Sequence, residues 1–231
     1  MIMVYMNIQH MSTNKNKIII FGTKDVAELA HWYITNDTNY EVIAFSVNAE
    51  FLTEKTFKDL PVVAFENIQD FYHPDEYMFF APMTGVGMNT KREKIYNSIK
   101  NKGYKLFSYI SSRATVLTDK IGDNCFILED NTIQPYVSIG NNVVLWSGNH
   151  IGHHSVVGNN VFFTSHVVLS GHCNVGDNCW LGVNSTIRDQ ISLANKSLVG
   201  MGSLITKNTE ENGFYMGTPA KKQEKKSYEV Y

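Results

Sequence analysis

From Ile121 to Ile205 every sixth residue is a branched aliphatic or a phenylalanine, fifteen times without an insertion. Ile121, Ile127, Ile133, Ile139 and Leu145 open the run; Ile187, Leu193, Val199 and Ile205 close it. One step earlier stands Thr115, so the strict register starts at Ile121. Two residues before each mark the chain is usually small or β-branched, as at Cys125, Ser155, Cys173, Cys179 and Ser185. Gly follows the mark at 122, 140, 152, 158, 176, 182 and 200. A six-residue period of this kind specifies a parallel β-helix. Three hexads close one triangular rung of 18 residues, and residues n and n+18 stack about 4.8 Å apart. The glycines and asparagines are expected to supply the left-handed turns that a Cβ disfavours.

The same register accounts for the cysteines. Cys125, Cys173 and Cys179 all occupy the small inward position, which makes "CNVGDNC" core packing rather than spaced ligands or redox chemistry. An odd count without paired spacing fits reduced thiols and a cytoplasmic setting. A net charge of −2 gives no electrostatic case for nucleic acid or an anionic membrane. No apolar run approaches the ~20 residues of a membrane span. Residues 1–16 read as a disordered leader without the pattern of a secretory signal, and Met11 is an alternative start.

Sorted by corner of the triangle, the turns are not alike. The first corner repeats Asp/Asn pairs such as Asn141-Asn142 and Asn159-Asn160, which reads as a plain solvated turn. The second holds Glu129-Asp130, Ser147-Gly148, Ser165-His166, Val183-Asn184 and Met201-Gly202. The third holds Pro135-Tyr136, His153-His154, Gly171-His172 and Asp189-Gln190. Stacking sets His153 over Gly171 and His154 over His172. A glycine beside an imidazole leaves a backbone N–H open, which pairs a candidate base with a candidate oxyanion donor. His at such a turn could equally meet only water or another subunit, and His150 faces outward from a strand. Tyr136, Trp146, Phe162 and Trp180 are expected on or near exposed flat faces, where threefold assembly would bury them.

Residues 17–110 alternate strand and helix. "KIIIF" is a buried strand, Gly22 a turn, and Asp25 with Glu28 resembles a capping box. "YEVIAFSVN" and "EYMFFAPM" are further strands, and "GMNTKREKIYNSIKNKGY" is a charged helix. This is a small parallel α/β unit that binds ligand at its strand C-termini. One glycine is not a dinucleotide fingerprint, so a single nucleotide or nucleotide sugar fits better. Asn89 and Arg92 at a helix start could hold phosphate. Residues 111–210 form the β-helix, and 211–231 are a C-terminal tail with "YMGTPAKK", where Lys221 could meet a cofactor phosphate.

The α/β unit, the "HH" turn beside "SGHCNVGDNCWLGVNSTI" and the "GTPAKK" ending together resemble the hexapeptide-repeat sugar acyltransferase family. That family includes nucleotide-4-amino-sugar N-acetyltransferases of the bacillosamine and perosamine type and a sialic acid O-acetyltransferase-like group. The resemblance implies a left-handed coil and a homotrimer. It implies acetyl-CoA as co-substrate and no metal. The acceptor would be the 4-amino group of a nucleotide-linked 4-amino-4,6-dideoxysugar in bacterial surface-glycan biosynthesis. It places the catalytic histidine on His153, with His154 standing where the bacillosamine enzyme has Glu, and the acetyl-carbonyl contact on Gly171. It further points to His166, Gly202, Pro219 and Lys221 for the cofactor, and to Gly22, Asn89 and Arg92 for the nucleotide sugar. Two other readings stay open: O-acetylation of a sugar hydroxyl, and a zinc-dependent hydratase on the same type of prism.

Overall fold

A computed structural model describes residues 16–230. The leader lies outside them apart from Asn16, whose carbonyl accepts the Glu41 N–H at 3.0 Å. Strand β1 (Lys17–Phe21) buries Ile18, Ile19 and Ile20 completely, as a strand covered on both faces must. Gly22 follows at φ +110°, a conformation open to glycine alone at little cost, and donates its N–H to the Ser46 carbonyl at 2.8 Å. Helix α1 (Asp25–Asp37) then begins. The expected capping box is absent. The N-cap is Lys24 with no side-chain bond, and the Glu28 carboxylate is taken by Lys58 at 2.8 Å. Asp25 stands instead in the first turn, where its charge complements the helix dipole.

Next come β2 (Glu41–Val47), β3 (Thr56–Phe57), β4 (Leu60–Ala64), β5 (Tyr77–Phe80), helix α2 (Thr90–Asn101) and β6 (Lys105–Leu106). The sheet order is β3-β4-β2-β1-β5-β6. All neighbours are parallel except the β3–β4 hairpin. Because β2 and β5 flank β1 on opposite sides, the chain order reverses beside Gly22. That is where open α/β sheets form their ligand crevice.

From Tyr109 the chain enters a parallel β-helix of left-handed coil. The ladder pairs Ile133 with Ile151, Leu145 with Phe163 and Val157 with Val175, each eighteen residues apart. The fourteen marks from Ile127 to Ile205 are at most 4% exposed. Their sum makes the prism core, each contributing about 1.5–3 kcal/mol over an exposed side chain. The first rung differs from the expected register. Ile110 pairs with Ile127 and Val116 with Ile133, seventeen residues on, while Ile121 already pairs with Ile139 at eighteen. The turn between Val116 and Ile121 is therefore one residue short, and Val116 rather than Thr115 points inward. At the other end Tyr215 takes the inward place above Val199.

All three cysteines are free and fully buried in this core. The Cys125, Cys173 and Cys179 thiols donate to the carbonyls of Gly140, Arg188 and Ala194, as the Ser155 hydroxyl does to Ser170. Each acceptor lies fifteen residues on, just past a mark. Burial pushes the Cys125 thiol up to about 11 and Cys179 up to about 12, so neither is a thiolate at neutral pH.

The glycines do a different job from the one expected. At 122, 140, 152, 158, 176 and 182 the backbone is not left-handed, but an added Cβ would come within 2.8 Å of the next rung's atoms. They are there for close stacking. The left-handed turn falls two residues later, at every sixth position from Asn124 to Gly202, and mostly without glycine: Asn124, Asp130, Tyr136, Asn142, His154, Asn160, His166 and His172 all have φ near +60°. Asn, Asp and His are the side chains that accept this region most readily.

One prism face is not exposed. Phe126, Val144, Phe162, Trp180 and Leu198 project from it into a core shared with Ile18, Ile20, Phe80, Ala30 and Ile34 of the α/β unit. Phe162 and Trp180 are 5% and 8% exposed, which corrects their expected placement on an open face. Trp146 is half-buried beside them, and only Tyr136 of that group is exposed, at 72%. The first corner, expected to be solvated, is buried at its left-handed asparagines Asn124, Asn142, Asn160 and Asn178, while Asp177 and Asn195 are exposed. The side-chain amides of Asn124, Asn142 and Asn160 each donate to the next Asn eighteen residues on, at 2.7, 2.8 and 3.0 Å. Asn178 ends the ladder on Glu93 of α2. Helix α2 packs over the start of this corner: Tyr96 and Lys100 both bond Asp123 at 2.6 Å.

Candidate active site

The third corner brings His153, His154 and Gly171 together. His153 occupies the first turn position and His154 the left-handed second one. The His153 N–H donates to the Gln134 side chain at 2.8 Å, and its carbonyl accepts the His172 N–H at 2.9 Å. The Cε1 edge of its ring lies against Gly171: a Cβ there would sit 2.8 Å from Cε1 and 2.9 Å from Nε2. Among the described residues no carbonyl accepts the Gly171 N–H, while Ser170 and His172 on either side donate to Ile187 and His153. An imidazole and an unspent donor are therefore neighbours. Tyr136, His154 and His172 form a column of rings at the left-handed position, with centroids 4.6 and 4.8 Å apart.

Among the described residues no carboxylate bonds the His153 ring. Its Nδ1 meets His154 Nδ1 at 3.1 Å, so one of the two must carry the proton. With the proton on His153 Nδ1, its Nε2 keeps the lone pair needed to accept another. The polar partner of the His153 ring is therefore His154.

Gly171 offers a test that separates packing from chemistry. In Gly171→Ala the methyl group meets only the end of an exposed, movable ring, so stability should change by less than about 1 kcal/mol. The ring must swing away from the donor, and kcat/KM for the reaction at this site should fall about 10- to 100-fold. Equal losses of melting temperature and activity would instead make Gly171 a packing residue.

The other expected site residues divide. His166 stands at the second corner, its ring against Gly148, where a Cβ would lie 2.5 Å from Nδ1. A single prism does not bring it to His153. Gly202, at φ +65° with no atom within 4 Å of a would-be Cβ, shares that corner column and accepts the Thr218 hydroxyl at 3.1 Å. Pro219 follows a cis peptide bond, and Lys221 is exposed on the strand Lys221–Lys226. These three cluster at the C-terminal end of the prism. Gly22 lies at the C-terminal end of β1, where the strand order reverses.

Asn89 and Arg92 do not line an open pocket, contrary to expectation. They are 0% and 1% exposed and face the prism. Asn89 donates to the carbonyls of Asn178 and Cys179 at 3.3 and 3.0 Å. Arg92 donates to the Asn142 carbonyl and, at 3.5 Å, to that of Asn160, with its guanidinium 5.5 Å over the Phe162 ring. Their spacing at a helix start matches a phosphate cradle, and nothing local in the sequence shows that the helix turns this edge inward.

Two features were missed. Glu129 at the second corner accepts from Tyr33 at 2.6 Å and Ser147 at 2.7 Å. Burial pushes its carboxyl up, but those bonds more than offset this and hold it below the usual range. The second is a cavity of about 380 Å³ lined by Tyr40, Met78, Phe107, Gly122 and Asp123. It opens at the first corner, away from the histidines.

Residues 120–152 and 136–171 match the bacterial transferase hexapeptide model, and 174–207 match the hexapeptide repeat of succinyl-transferase. The whole architecture is similar to the acetyltransferase domain of PglB from Neisseria gonorrhoeae, at 19% identity and TM-score 0.80, covering 90% of this chain and 100% of that one. It is equally similar to a histidine variant of perosamine N-acetyltransferase from Caulobacter crescentus in complex with CoA and GDP-perosamine. There the identity is 18% and the TM-score 0.80, with 91% and 98% covered. WeeI from Acinetobacter baumannii matches at 17% identity and TM-score 0.76, with 90% and 100% covered. The α/β unit followed by a left-handed hexapeptide prism is thus a fold this chain shares with them.

Proposed function

We propose that this chain is an acetyl-CoA-dependent N-acetyltransferase acting on the 4-amino group of a nucleotide-linked 4-amino-4,6-dideoxysugar. The observation that carries this is the His153 ring held against the unspent Gly171 N–H. The neighbours solved with CoA and GDP-perosamine support the pairing of substrates.

The sugar amine attacks the thioester carbonyl and must lose a proton as the C–N bond forms. His153 Nε2 accepts it, the developing oxyanion takes the Gly171 N–H, and CoA leaves as the thiol when the C–S bond breaks, with the proton returned from His153. His154 holds the His153 ring through the Nδ1 contact. Two prism faces remain uncovered, and Val156 and Val168 on them are 46% and 39% exposed. A homotrimer would bury them and form clefts in which acetyl-CoA lies along the prism edge. In that assembly His166, Gly202, Pro219 and Lys221 of one chain line the cofactor, His153 being at another corner. The nucleotide takes the crevice at Gly22. The setting in bacterial surface-glycan assembly follows from the acceptor.

A thermal-shift and turnover panel of UDP-, dTDP- and GDP-amino sugars with acetyl-CoA tests this. One amino-sugar nucleotide should raise Tm by several degrees, CoA should raise it independently, and acetyl transfer should require both. Turnover with a sugar hydroxyl at a rate above the amine would replace N- by O-acetylation. Failure of every nucleotide sugar and of CoA to shift Tm would overturn the reading.

A further inference from the structure

We propose that the third corner is also a binding site for a divalent transition cation of the zinc class, held by His153, His154 and His172. The candidate ligand nitrogens of these three exposed rings all lie within 4.8 Å of one another. The closest pair, Nδ1 to Nδ1, is 3.1 Å apart. Zinc bound to imidazole at about 2.0–2.1 Å in a tetrahedron separates two ligand nitrogens by about 3.3 Å. The observed pair is already at that spacing, and the third ring needs a side-chain rotation of an ångström or two. The scaffold is rigid: His154 and His172 stand on successive rungs at the same left-handed turn position, and the His172 N–H is bonded to the His153 carbonyl. Three imidazoles without a carboxylate select zinc, cobalt, nickel or copper over magnesium or calcium. Exposure leaves an entry path and an open fourth position for water.

The consequence rests on the proposed function. A cation bound to His153 Nδ1 displaces the proton from that atom and leaves the ring's one proton on Nε2, so Nε2 has no lone pair for the amine proton and acyl transfer is blocked instead of promoted. The site would make the enzyme zinc-sensitive.

The test uses the untagged full chain and zinc or cobalt ions alone. Equilibrium dialysis should find one zinc per chain, and cobalt should show the visible bands of a tetrahedral nitrogen site. His172→Asn keeps the fold, since Asn142, Asn160 and Asn178 occupy equivalent left-handed positions, and should weaken zinc binding at least about tenfold. His150→Asn, on the sheet face, should bind zinc as the parent does. Zinc should suppress acetyl transfer by the parent, a chelator should restore it, and His172→Asn should resist. Equal zinc binding by His172→Asn and the parent, or no stoichiometric binding by the parent, overturns the site. Zinc binding that leaves acetyl transfer unchanged overturns the block. Absence of acyl transfer even without metal would count against the proposed function, while dialysis still decides the site.

Discussion

A His153→Ala variant is expected to lose about 10²–10⁴ in kcat while its melting temperature stays within a few degrees of the parent's. The ring is exposed at a turn and contributes no core burial, so the fold does not depend on it. The first turn position has no left-handed φ to satisfy, and alanine is tolerated there. In the proposed mechanism the base acts only as the amine attacks, so the loss should fall on kcat, with KM for acetyl-CoA changing less than about threefold. His154→Asn should cost less, about tenfold, since it removes the partner that orients the ring and leaves the base in place. Near-normal turnover by an intact His153→Ala protein, measured with the preferred amino-sugar nucleotide, would remove His153 from the mechanism.

The prism was legible in the sequence because each hexad repeats the same local decision: one apolar residue inward, one small residue beside it, one turn. Fifteen repetitions average out any single ambiguous residue. The phase then located His153 and Gly171 at one corner, since stacking at eighteen residues is simple arithmetic once the register is known. Legibility ended where the repeat met something outside itself. The short first turn between Val116 and Ile121 hides the opening rung, because one missing residue moves every inward position. The glycines were misread because a close approach to the next rung and a left-handed φ call for the same residue. A turn asparagine looks the same in water and under a helix, so sequence alone does not separate the Asn ladder from a solvated corner. Nothing in "NTKREKIY" reveals that Arg92 points into the prism and Lys91 into solvent.

Arg92 yields the second large effect, on stability. Among the described residues no carboxylate pairs with this buried cation: it donates to the Asn142 and Asn160 carbonyls, to the Asn142 side-chain oxygen at 3.3 Å and to the Asn89 side chain at 3.2 Å. Burial pushes its guanidinium down to about 9, so it remains charged at neutral pH. Burial disfavours the charged form, and this penalty is present in full below about 9 and fades only as pH rises above it. The effect of Arg92 variants should therefore be flat between pH 6 and 8. Against the penalty of several kcal/mol for a buried ion stand charge-assisted bonds of about 1.5–3 kcal/mol each and contact with the Phe162 ring. Truncation in Arg92→Ala removes the donors, leaves the carbonyls dry and opens a cavity, and should cost about 3–5 kcal/mol. Arg92→Met fills the volume and removes the charge but still strands the carbonyls, and should cost about 1–3 kcal/mol. Urea unfolding should rank parent, Met and Ala in that order. Arg92→Met as stable as the parent would mean that the burial penalty cancels the bonds. Unchanged stability in Arg92→Ala together with a raised KM for the nucleotide sugar would return Arg92 to the phosphate role its sequence position suggested.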